Sequence, residues 1–251
     1  MGLVLLAYNS SIPVGTVLVD CKSIPDAGMA TLTGDGYVID ARMKKLYGAY
    51  VFGANVSRAQ VQNPEFQKIA YQELTALNKG AAAAYEENKF DYFGTAGRGL
   101  VLNETLIAQV IQSGAAAEND TIGLLVGDAD PAPVNTPYFT IRFTMSTTLA
   151  PNAWTNCAIT LDRQLAAGNY KIIGARLNTM GGILFRLRAT GSSYAVGGLC
   201  VQTDQARDPA WQRKGGMGVW ETFAQNLLPT IDVLSSSADT AQSGEFDIAL
   251  A

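Results

Sequence analysis

Residues 128–146 read Asp128-Ala129-Asp130-Pro131-Ala132-Pro133-Val134-Asn135-Thr136-Pro137-Tyr138-Phe139-Thr140-Ile141-Arg142-Phe143-Thr144-Met145-Ser146. The first ten carry three prolines and no periodic apolar residues, a composition that removes backbone donors and favours extended chain outside any sheet. This predicts a linker near the midpoint of the 251 residues, dividing 1–130 from 131–251. Directly after it, Ile141, Phe143 and Met145 alternate with Arg142, Thr144 and Ser146, so one face can be buried while the other stays wet. That alternation is the mark of an antiparallel strand.

Downstream the pattern recurs. Cys157, Ile159 and Leu161 alternate with Asn156, Ala158 and Thr160 up to a turn at Ala167-Gly168-Asn169. Tyr170–Leu177 and the Ile183, Phe185, Leu187 row follow, the latter with Arg186 and Arg188 facing outward. Asn178–Gly182 between them has hairpin length, with glycines free to take positive φ. Tyr194–Val201, Val219–Phe223, Ile231–Leu234 and Phe246–Leu250 are further candidate strands. Short strands at this spacing, separated by Gly, Asn and Pro turns, predict a β-sandwich or jelly roll.

Upstream, Thr16–Cys21, Met29–Thr33, Tyr37–Ala41, Gly48–Ser57, Leu100–Ile111 and Thr121–Val126 read as strands. The apolar run Leu3–Ala7 lacks a basic n-region and reads as a first strand or arm rather than a signal peptide. One segment dissents: Asn63-Pro64, then Phe66, Ile69, Ala70, Leu74 and Leu77 at helical spacing, with Gly80 beyond. It predicts a short helix inserted over 64–78, with a strand there as the open alternative; Ala81–Ala84, Tyr85, Glu86 and Glu87 extend it or form a loop. A faint echo links Tyr50-Val51-Phe52-Gly53-Ala54 with Tyr170-Lys171-Ile172-Ile173-Gly174-Ala175, about half a chain apart, and an internal duplication and coincidence stand level as explanations. The expected fold is therefore all-β: two tandem antiparallel β-sandwiches (a double jelly roll), 1–130 and 131–251, with one short inserted helix.

Composition narrows the function. Charged residues make up 16% of the chain and apolar ones 48%, which suggests that contacts with other protein cover part of the surface. The net charge of -4 argues against wrapping nucleic acid, so no sequence-specific nucleic-acid partner is expected. Nine basic and fourteen acidic side chains precede Pro131, against nine and eight after it, so the acidity belongs to the first half. Cys21, Cys157 and Cys200 are odd in number and widely spaced, which predicts buried thiols and neither a disulfide framework nor a zinc site.

The chain has no histidine, which excludes Ser-His-Asp and Cys-His nucleophile pairs and His-ligated metal. Glu86, Glu87, Asp91, Glu104 and Glu221 offer carboxylates for a glycosidase pair, but scattered acids are ordinary surface residues. Gly94–Gly99 lacks both G-x-G-x-x-G spacing and a P-loop Lys and reads as a loop; Gly215–Gly218 between Arg213-Lys214 and Trp220 reads as a tight turn with solvated cations. Trp154, Trp211 and Trp220 read as core or interface anchors ahead of a sugar-stacking surface. No residue is assigned a catalytic, cofactor-binding or metal-binding role, and no enzyme activity is expected.

Trp154-Thr155-Asn156, Leu165-Ala166-Ala167-Gly168-Asn169-Tyr170-Lys171-Ile172-Ile173-Gly174-Ala175-Arg176, Gly218-Val219-Trp220 and Leu228-Pro229 give the chain an organisation that resembles the double jelly-roll major capsid proteins of icosahedral, corticovirus-like and related bacteriophages, many of them membrane-containing. The resemblance implies a structural virion protein made in the host cytoplasm, a homotrimer with a six-sided footprint that packs with neighbouring capsid subunits and with minor capsid or vertex proteins. It leaves open a contact with an internal membrane, and it brings no catalytic site. The alternative is a carbohydrate- or receptor-binding β-sandwich of the spike or fibre kind.

Overall fold

A computed structural model describes residues 2–25, 30–66, 71–74, 77–78, 91–201 and 210–251. The chain divides into two compact units, Gly2–Asp130 and Pro131–Ala251. Both are built almost wholly of antiparallel strands.

The first unit contains β1 (Leu3–Ile12), β2 (Val19–Cys21), β3 (Thr31–Thr33), β4 (Gly36–Val38), β5 (Lys45–Gly53), β6 (Val56–Gln62), β7 (Gln72–Leu74), β8 (Leu77–Asn78), β9 (Asp91–Tyr92), β10 (Arg98–Gly99), β11 (Thr105–Gln112) and β12 (Glu118–Gly127). One sheet runs β1-β12-β5-β10, with β8 and β9 also on β5. The other runs β3-β4-β11-β6-β7, with β2 also on β11. Strand β11 keeps the half-buried alternation, turning Leu106, Ala108, Val110 and Gln112 inward. Tyr8 and Tyr37 meet edge to face at 5.1 Å, and the Tyr8 hydroxyl donates to Leu106 O of the opposite sheet at 2.6 Å, so the sandwich is fastened by polar tips on apolar rings.

The second unit contains β13 (Phe139–Met145), β14 (Trp154–Cys157), β15 (Thr160–Leu161), β16 (Asn169–Asn178), β17 (Gly182–Arg188), β18 (Gly197–Leu199), β19 (Glu221–Ala224), β20 (Thr230–Ser235) and β21 (Gln242–Leu250). Its sheets run β15-β13-β21-β16-β19 and β14-β20-β17-β18. The buried Gln212 carboxamide closes one side between them: it accepts from Leu199 N at 3.0 Å and donates to Leu199 O and to Ala175 O of the facing sheet.

The two units share one topology. In the first, the chain-ordered strands β1, β2, β5, β6, β7, β10, β11 and β12 pair as first-last-third-sixth and second-seventh-fourth-fifth; β13, β14, β16, β17, β18, β19, β20 and β21 do the same in the second. This is the order of a jelly roll, in which every successive strand changes sheet except the fourth and fifth, which pair with each other.

That alternation corrects several readings of the sequence. Gly48–Ser57 is two strands, β5 and β6, in opposite sheets with a corner at Ala54–Asn55. The row Cys157, Ile159, Leu161 likewise splits between β14 and β15, and β16 and β17 belong to different sheets and form no hairpin. The helix expected over 64–78 is replaced by a single 3-10 turn at Pro64–Phe66, then β7 paired on β6 and β8 paired parallel on β5; residues 67–70, 75 and 76 lie outside the described part. Sheet pairing wins because edge strands of a jelly roll supply partners that a lone short helix lacks.

Candidate functional site

The polar features with most geometry lie inside the second sandwich. Asp232 on β20 has 1% exposure and faces Arg186 across the β17–β20 pairing. Arg186 Nε and Nη2 donate to its Oδ2 at 3.1 and 3.0 Å, and Asn156 Nδ2 donates to Oδ1 at 2.7 Å. The Trp154 ring covers the guanidinium, 4.2 Å from Cζ to the centroid, and Arg188 adds a contact to Oδ2 at 3.4 Å. Arg186 is therefore buried and not outward, because the acid opposite it and the indole above it replace the water its charge would otherwise need.

A second cluster surrounds Asp247 on β21, also buried. Arg213 binds it bidentately, Nε to Oδ2 at 2.7 Å and Nη2 to Oδ1 at 2.9 Å, while Lys214 N donates to Oδ2 at 2.9 Å and Thr140 Oγ1 to Oδ1 at 2.8 Å. Burial raises the Asp247 carboxyl, and these donors overcome that and hold it below the usual carboxylate range. Arg213 is thus no solvated cation. The turn that presents it needs Gly215 and Gly218, each at φ 79°, a region that disfavours residues with a Cβ.

Other sequence candidates stay dispersed. Glu86 and Glu87 lie outside the described residues. Asp91 sits on β9 and exposed Glu104 precedes β11 in the first unit, while Glu221 opens β19 in the second. Gly94–Gly99 forms a turn, with Gly94 and Gly97 at positive φ, and ends in β10. Trp220 is buried between Phe185 and Trp211 in stacked contacts, as an anchor would be. Cys21, Cys157 and Cys200 are buried and free, and burial pushes the Cys21 thiol up to about 12. No group of three or more His, Cys, Asp or Glu among the described residues is placed to hold a metal. A surface groove of about 300 Å³ on the second sandwich is lined by Arg142, Thr144, Thr160, Asp162, Asn178 and Glu245.

Sequence reasoning missed both clusters, since the partners are 46 and 34 residues apart. The outward placement of Arg186 followed from alternation alone; the only available signal was an acid, Asp232, among the apolar residues of a strand.

No known protein family matches the sequence, and no curated protein is similar to it. Among solved structures it is similar to the major capsid protein P2 from bacteriophage PM2, at 12% identity over 97% of this chain and 98% of that one, with a TM-score of 0.25. At that score the two backbones do not superpose, and the jelly-roll order of this chain stands on its own strand pairing.

Proposed function

We propose that the chain is a shell subunit, a bacteriophage major capsid protein that assembles as trimers into an icosahedral coat and carries no enzyme activity. The observation that supports this reading is the repetition of one strand order in both halves. Three copies bring six sandwiches of one topology around a single axis, and a near-sixfold unit tiles a closed lattice with few kinds of contact. The scarcity of charge fits a surface covered by neighbouring copies and by minor or vertex proteins. Exposed apolar side chains, among them Val17 at 74%, Leu250 at 72% and Met180 at 68%, are candidates for those contacts.

Mass photometry and analytical ultracentrifugation at micromolar concentration should show trimers, and electron microscopy of the native source should show shells containing the chain. A monomer at every concentration and salt, with no particle holding it, overturns the proposal in favour of a binding module. Screening against glycan and ester substrates should show no turnover.

A further inference from the structure

The last strand of each sandwich carries a buried carboxylate that lies against a glycine of the third strand in the shared order. Asp247 on the last strand of the second unit pairs with Gly174 of β16 and with Thr140 of β13. Asp120 on the last strand of the first unit pairs with Ser10 of β1, and a Cβ added to Gly53 at the end of β5 would fall on its carboxylate, as one added to Gly174 would approach Asp247 Oδ2 at 2.8 Å. Each acid thus lies over a glycine of the third strand and pairs with a hydroxyl residue of the unit's first strand, Asp120 opposite Ser10 near the end of β1 and Asp247 opposite Thr140 near the start of β13.

Only one of the two is neutralised. Asp247 holds Arg213, the Lys214 amide and Thr140. Asp120 has no exposure, and among the described residues no amide, hydroxyl or cationic donor reaches either of its carboxylate oxygens. The elements packed here bring Ser10 from β1, Cys21 from β2 with its thiol 3.9 Å from Asp120 O, Gly53 from β5 and Val56 from β6. On its own strand, Glu118 lies two residues away and so on the same face, its carboxylate accepting Asn55 N at 2.6 Å and Asn55 Nδ2 at 2.9 Å. Of these groups only Cys21 and Glu118 titrate, and neither brings a positive charge. An ionised carboxylate in such a place is strongly disfavoured. Burial first, and then the neighbouring Glu118 charge, push the Asp120 carboxyl up to about 8.

We propose that Asp120 and Glu118 form a proton-operated latch on the first sandwich, which holds the Gly53–Val56 corner against the start of β12 while Asp120 keeps its proton and releases it when that proton is lost to solvent. Opened, Asp120 titrates as an ordinary aspartic acid near about 4. Between that value and about 8 the closed state binds more protons than the open one, so closure weakens as pH rises and levels off above about 8.

Hydrogen exchange of the full-length chain, corrected for the intrinsic pH dependence of amide exchange, reads the latch. Opening of the segment from Gly53 to Val56 should increase about tenfold per pH unit between about pH 5 and pH 7, then flatten above about pH 8. Asp120→Asn should make this profile flat, and Asp247→Asn should leave it as in the parent. Carbon-13 titration of the side-chain carboxyls of the unsubstituted chain gives an independent reading if Asp120→Asn does not fold. An Asp120 midpoint in the ordinary carboxylate range, or a pH profile at the corner that Asp120→Asn does not alter, overturns the proposal.

Discussion

Arg186 and Asp232 face each other across β17 and β20 with side-chain exposures of 1% and 2%, joined at 3.0 Å. Such a pair is stable only as a pair, because removing one member leaves the other charged in a dry interior. Arg186→Ala should therefore destabilise the second sandwich by about 3–5 kcal/mol, and Arg186→Met with Asp232→Leu should recover most of that loss. All three tryptophans are in the second half, so fluorescence-detected urea unfolding reports on this sandwich alone.

Gly174 is a position where space decides the residue. A Cβ there would stand 2.8 Å from Arg213 Cα, Lys214 N and Asp247 Oδ2. Gly174→Ala should push the Arg213 turn away from β16 and destabilise the sandwich by about 1–3 kcal/mol. The same fluorescence titration checks it, and an unchanged midpoint would show that the turn yields freely.

In the first sandwich, the Tyr37 hydroxyl lies 2.7 Å from both Ala7 O and Ile24 O, its single proton serving one carbonyl at a time. Tyr37→Phe keeps the ring against Tyr8 and strips both buried carbonyls of that donor. A loss of about 1–3 kcal/mol is expected, measured through tyrosine fluorescence and far-ultraviolet circular dichroism of the full chain.

The second sandwich should respond to acid. Asp247 has a depressed folded pKa, so the unfolded chain binds more protons as pH falls, and the stability this acid contributes is lost below the ordinary aspartate range near about 4. Unfolding midpoints followed by tryptophan fluorescence should fall between about pH 4 and pH 2, and Asp247→Asn should remove that part of the acid dependence while lowering stability at pH 7. This is opposite in direction to the alkaline weakening expected around Asp120.

Strand content was legible in the sequence because period-2 alternation is local: Ile141, Phe143 and Met145 lie on the buried face of β13, and β11 shows the same pattern. The missing histidines likewise excluded whole classes of chemistry from composition alone. Alternation says which side chains share a face and nothing about which strand lies alongside, so the corner at Ala54–Asn55 and the separation of β16 from β17 needed the tertiary structure. The echo between Tyr50–Ala54 and Tyr170–Ala175 falls on corresponding strands of the two sandwiches, a relation that only the shared pairing order makes visible. Charge was decided last. Whether Arg186 is wet or dry, and whether Asp120 and Asp247 keep or lose a proton, depends on donors brought from other strands and turns, because the energy of a buried charge is set by its neighbours in space.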